Sequence, residues 1–147
     1  MDYSTNVATN SINQFFRALE QETIAGNFSA LAERFSETFL AASPNGAKVA
    51  QRSFFAQMLP ARKQQIEKMG KNTTKLISLE TTEIDARYTL AKTRWLLTFP
   101  REGQDTQEVF ADSTYIVDTG VEPFQIILYL TSQDLPKVLA KRGILPS

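Results

Sequence analysis

The sequence predicts an α+β fold in which a curved antiparallel sheet packs on three N-terminal helices and a short helix ends the chain. Two observations carry this expectation. Apolar residues keep helical spacing through the first half, then give way to four long runs rich in β-branched and aromatic residues. Short links join those runs, which favours antiparallel neighbours. A sheet that follows helices in this order, with one tryptophan strand, "TRWLLTF", at its middle, predicts a cone with an apolar hollow.

The helices come first. Ile12, Phe15, Phe16 and Leu19 fall at i, i+3, i+4 and i+7, which predicts an amphipathic helix over about residues 8–25. Gly26 suits a left-handed C-cap, and Asn27 can cap the next helix. Phe28, Leu31, Ala32 and Phe35 repeat the spacing, so a second helix is expected over about residues 28–36. Glu37–Ala42 reads as a short extended stretch and "SPNG" (Ser43–Gly46) as a turn. A third helix is expected from near Ala47, with Ala50, Phe54 and Met58 along one side. Pro60 should kink that helix or start a new one, and Gly70 should close the region.

Four strands then follow at Thr74–Ile84, Arg87–Phe99, Gln107–Asp118 and Phe124–Thr131. The connections "DA", "PREGQDT" and "TGVEP" are polar or contain glycine. Pro136 sits where the first turn of a last helix, "DLPKVLAKRG", should begin, and Gly143 should end it.

Composition narrows the function classes. A chain of 147 residues suits one domain over residues 1–147, and its 42% hydrophobic content can build a core. Sixteen basic residues balance sixteen acidic ones, so no net charge draws the chain to nucleic acid or an anionic membrane. There is no histidine and no cysteine. That removes disulfides, thiolate chemistry, the usual serine triad and the commonest transition-metal ligands. No glycine-rich phosphate loop stands in the chain. No cofactor is expected. The polar N-terminal stretch lacks a signal-peptide pattern, and the apolar run Phe124–Leu130 is too short to span a bilayer as a helix. The expected setting is the cytoplasm.

The order helix, helix, short strand, helix and four antiparallel strands resembles the nuclear transport factor 2-like superfamily, the SnoaL-like or ketosteroid-isomerase-like cone with its cystatin-like sheet. Three strings carry the likeness. "AGNFSALAERFSETF" is similar to the family's turn into its second helix. "ARYTLAKTRWLLTF" is similar to its strand with a small residue early and a tryptophan four later. "DSTYIVDTGVEPFQIILYL" is similar to its final hairpin. The resemblance covers about residues 8–131 and implies isomerases, dehydratases, epoxide hydrolases, polyketide cyclases or plain binding and scaffold proteins. Many such proteins also pair their sheets back to back.

The isomerase branch needs a carboxylate base, a tyrosine and a protonated carboxylic acid at the oxyanion. The resemblance carries these roles onto Ala41, Leu19 and Ser113, which cannot fill them. A shift of one residue would bring Asp112 to the third position without restoring the other two.

Strand alternation gives an independent reading. Ala91, Thr93, Trp95, Leu97 and Phe99 share one face, as do Val109, Ala111, Ser113, Tyr115 and Val117. These two sets are expected on the concave side. Asp112 and Tyr115 then point to opposite sides, and Asp112 can pair with Arg94 on the outer face. Trp95 and Tyr115 lead the candidates for a ligand wall, with Ser113, Phe39 and Met58 beside them. The plainer reading is that Trp95 fills the core and needs one partner for its ring N–H, while the Tyr115 hydroxyl bonds to backbone. Arg62, Lys63, Lys68, Lys71 and Lys75 form a basic stretch. It reads as a solvated helix face, with attraction of an anionic partner as the other reading.

The function expected from the sequence is non-catalytic binding of a small apolar or amphipathic molecule in the cone. One rival is an isomerase, dehydratase or hydrolase working through Glu37, Glu80 or Asp112. Another is a protein-interaction module. The outward apolar set Leu90, Leu96, Phe110 and Ile116 predicts a homodimer through the sheet.

Overall fold

The computed structural model describes residues 3–68, 72–101, 103–133 and 135–141. Helices α1 (Tyr3–Ala25) and α2 (Phe28–Glu33) lead into strands β1 (Phe35–Ser43) and β2 (Gly46–Gln51). Helix α3 (Arg52–Glu67) follows, then β3 (Thr73–Glu83), β4 (Tyr88–Arg101), β5 (Gln104–Asp118) and β6 (Gln125–Thr131). Helix α4 (Leu135–Lys141) comes last. The strands form one sheet in the order β2-β1-β6-β5-β4-β3, antiparallel except where β1 runs parallel to β6. The sheet is curved and unclosed.

The apolar stripe of α1 does what its spacing predicts. Ile12, Phe15, Phe16 and Leu19 are all buried. Gly26 takes φ +72°, the left-handed conformation that glycine adopts without a steric penalty. The Asn27 side chain then accepts the Ala30 N–H and caps α2. Helix α2 stops at Glu33, earlier than the spacing suggested, because Phe35 already belongs to β1.

The segment after the Ser43–Gly46 turn differs from the sequence expectation. Residues Gly46–Gln51 form β2, an exposed edge strand paired with Thr38–Ser43, and α3 starts only at Arg52. Ala47, Lys48 and Ala50 favour a helix by propensity, but the hairpin gives their backbone a partner. The inward face of α3 shifts with its start. Phe55 and Leu59 pack on the core, while Phe54 and Met58 are exposed. Ala50 lies in β2, so the spacing counted from it was not helical. Pro60 sits inside one helix, where its missing N–H removes a single bond. The stops expected at Gly70 and Gly143 lie outside the described residues.

The later strands match their predicted runs, and β4 and β5 extend further into the "PREGQDT" link. Their alternation holds. Ala91, Thr93, Trp95, Leu97, Phe99, Val109, Ser113, Tyr115 and Val117 are buried. Helix α1 is tied to the inner side of β3 by a polar clamp. Glu20 Oε2 accepts the Leu76 N–H at 2.7 Å, and Arg17 donates to the Leu76 carbonyl at 3.1 Å and to Glu20 Oε1 at 3.1 Å. The clamp sits where β3 bulges between Leu76 and Ser78. On the opposite side the register aligns Val49, Leu40, Leu128, Ile116 and Leu90 in one apolar row across five strands.

Candidate functional site

The inner face of β4 and β5 carries a small polar cluster in an apolar setting. Thr93 and Ser113 are directly opposite in the register, as are Ala91 and Tyr115. Trp95 Nε1 donates to Thr93 Oγ1 at 3.1 Å, and Thr93 Oγ1 donates to the Ser113 carbonyl at 3.1 Å. Burial pushes the Tyr115 hydroxyl well above its ordinary pKa, with Tyr129 adding to the rise, against hydrogen bonds to Ser113, Thr93 and Trp95. Tyr115 therefore stays protonated and neutral at physiological pH. Its ring stacks on Tyr129 at 5.1 Å and meets Phe16 at 5.1 Å.

Phe39 belongs to a second aromatic group with Phe35 at 4.8 Å and Phe55 at 5.4 Å. Met58 follows Phe55 on α3 but points outward, 43% exposed. Of the five candidates from the sequence, Trp95, Tyr115 and Ser113 come together, Phe39 lies further along the same core, and Met58 stands apart.

The positions carried from the isomerase resemblance are also located. Leu19 is buried in the core, Ala41 is half-buried on β1, and Ser113 adjoins Thr93. Of the three candidate acids, Glu37 and Glu80 are exposed. Asp112 pairs with Arg94 on the outer face, at 2.9 and 3.2 Å, and that bond holds its carboxyl below the usual range. The expected cross-strand ion pair is thus present. Among the described residues the buried carboxylates are Glu20, in its clamp, and Asp118. Asp118 takes a bidentate bond from Arg87 at 2.9 Å and the Gly120 N–H at 2.9 Å. Among the described residues no group of three or more His, Cys, Asp and Glu side chains is placed to hold a metal ion.

An open groove of about 750 Å³ lies at the other end of the same core, between the helices and the start of β3. Leu31 and Leu59 form its buried floor, flanked by Phe28 from α2 and Ile24 from α1. Arg62, Lys63 and Glu67 of α3 and Asn72–Thr74 stand at its rim. The sequence reading missed this groove because it is made by chain segments distant in sequence. The basic stretch was its one visible sign. The groove and the polar cluster connect through the sheet: Thr74 pairs with Leu97, two residues from Trp95 on the same face. A shallower depression of about 410 Å³ lies around Glu80, Lys92, Arg94 and Asp112, where opposite charges balance.

This architecture is the α+β, cystatin-like fold that nuclear transport factor 2-like proteins also have. No protein-family model matches the sequence, and no curated protein is similar to it. Solved structures share the fold. A nuclear transport factor 2-like protein with a cystatin-like fold from Novosphingobium aromaticivorans superposes with a TM-score of 0.69 at 15% identity, covering 100% of this chain and 99% of the other. A scytalone dehydratase-like protein from the same organism gives 0.70 at 11% identity, covering 89% and 87%. The association domain of CaMKII from C. elegans gives 0.69 at 10% identity, covering 90% and 100%. At these identities the likeness establishes the fold alone. No described helix is long and apolar enough to cross a membrane.

Proposed function

We propose that this chain, acting as a single domain in the cytoplasm, binds a small apolar or amphipathic molecule between its helices and the inner sheet face, without catalysis. The observation that carries this is the groove of about 750 Å³ with Leu31 and Leu59 as its floor. That size and an apolar floor with a few polar groups at the edge are what small-molecule sites have. Trp95, Tyr115 and Phe39 do not line the groove itself but pack in one hydrophobic core with Leu31 and Leu59, and in our reading they, with Ser113 opposite Thr93, back the site from the inner sheet face. Met58 stands one turn from Arg62 on α3 and flanks the rim. The non-catalytic reading rests on the acids: Glu37, Glu80 and Asp112 do not face the interior, and Glu20 is occupied by Leu76 and Arg17. A thermal-shift screen of hydrophobic metabolites, with calorimetry on each hit, tests the proposal. A panel that leaves the melting curve unmoved would overturn it, and turnover of any hit would favour a dehydratase or isomerase.

Self-association through the outer sheet face is a second reading, favoured by the row Val49, Leu40, Leu128, Ile116 and Leu90. Leu96 and Phe110 form a second outward apolar pair, separated from the row by Lys92–Thr114 and Arg94–Asp112. Val49 and Leu40 in the row, and Phe110 beyond the charged rungs, are exposed, and solvent does not favour an apolar row of this length. The structural likeness to an association domain points the same way. We propose an isologous homodimer formed on this face.

A further inference from the structure

The rim of the groove carries unequal charge. Arg62 and Lys63 project from α3 against one carboxylate, Glu67. Lys63 already shares itself between Glu67, at 3.8 Å, and the Phe28 ring, at 5.7 Å from its centroid. Arg62 has no ion-pair partner among the described residues. Among the described rim residues, two cations and one carboxylate leave one positive charge in excess, beside the floor of Leu31 and Leu59 and the flanking Phe28 ring. An apolar ligand alone would gain nothing from that charge. A ligand with an apolar body and one anionic head would use both parts, with its tail on Leu31 and Leu59 and its head at the Arg62 guanidinium. Arginine suits this role because its planar fork binds a carboxylate through two bonds.

We propose that the groove selects a free, monomeric amphiphile carrying one negative charge, of the class of a medium-chain or aryl-alkyl carboxylate. This rests on the ligand-binding reading above and adds the head-group charge to it. The outer depression carries no such excess, because Arg94 there is taken by Asp112 and Lys92 lies opposite Glu80 in the register.

The test is calorimetric titration of the full chain with decanoate and with 1-decanol, on wild type and on the R62E/K63E double variant. Decanoate should bind wild type at one saturable site and more tightly than decanol. The double variant should lose about tenfold or more for decanoate, as loss of a charge-assisted carboxylate contact requires, and keep its decanol affinity. Higher salt should weaken decanoate and leave decanol unchanged. If decanol binds as tightly as decanoate, or R62E/K63E binds decanoate as wild type does, the anion preference is overturned while the groove reading stands. If neither ligand binds, both readings fall. The R62Q/K63Q variant repeats the comparison should charge reversal alter the melting curve. Anionic vesicles of phosphatidylglycerol form the last arm: vesicle binding without decanoate binding would overturn the proposal in favour of a membrane surface.

Discussion

Glu20 and Leu76 fix α1 against the sheet: the carboxylate of one accepts the backbone N–H of the other at 2.7 Å, where β3 departs from its regular register. A bulge leaves a backbone group without a ladder partner, and a buried N–H without an acceptor is costly. Glu20 supplies the acceptor, and Arg17 closes the clamp from the same helix. Glu20→Ala should therefore destabilise the fold by about 1–3 kcal/mol, with Glu20→Gln closer to wild type because its carbonyl can still accept. Urea unfolding of both variants checks this. Equal stability of Glu20→Ala and wild type would show that the clamp is dispensable.

Thr93 is the hub of the inner polar cluster. Its hydroxyl accepts from Trp95 and donates to Ser113. Thr93→Val keeps the volume and removes both bonds, taking the Thr93 acceptor away from the buried indole N–H. The expected loss is about 1–3 kcal/mol. Tyr115→Phe should cost less, about 0.5–1.5 kcal/mol, since the ring contacts with Phe16 and Tyr129 remain. Trp95→Ala should cost about 3–5 kcal/mol as a core truncation. Chemical denaturation of the three variants gives the order, and a Tyr115→Phe loss larger than that of Trp95→Ala would contradict it.

Asp118 makes stability depend on acid. Its bond to Arg87 holds its pKa below the ordinary 3.8, with the Gly120 N–H acting in the same direction and burial opposing. A carboxyl that binds its proton less readily in the folded state stabilises the fold above its unfolded pKa. That contribution is lost as pH falls below about 4 and through the depressed folded value. Melting temperatures of wild type and Asp118→Asn should differ at neutral pH and converge in acid. A gap that persists unchanged at low pH would contradict the assignment.

Much of the fold was legible because local pattern and tertiary packing agree. The stripe Ile12–Phe15–Phe16–Leu19 and the alternation around Trp95 and Tyr115 each have one buried face, and burial fixes their orientation. Strand β2 was not legible. Gly46–Gln51 has no buried face to impose an alternating pattern, so its alanines read as helix. The same error carried the α3 face from Phe55 and Leu59 to Phe54 and Met58. Groove residues from α1, α2, α3 and β3 share no local pattern, so only the basic stretch around Arg62 and Lys63 marked them. The Glu20 clamp left no sign at all, because nothing in a helical glutamate announces a bulge on a distant strand.

The outer face gives a prediction about assembly. Light scattering at micromolar concentration should return a dimer mass. Leu90→Lys combined with Ile116→Lys should yield a monomer that keeps its secondary structure, since both side chains belong to the outward row. A monomer mass for wild type would remove the sheet-to-sheet dimer.

The central claim is that a small molecule lies between the helices and the inner sheet. Methyl-region NMR of the full chain during titration with decanoate and 1-decanol tests it most directly. The account predicts saturable shifts at the methyls of Ile24, Leu31 and Leu59, weaker ones at Leu97 beside Thr74, and none at Leu90 or Leu128 on the outer face. Shifts confined to the outer row, or none that saturate with either ligand, would contradict it.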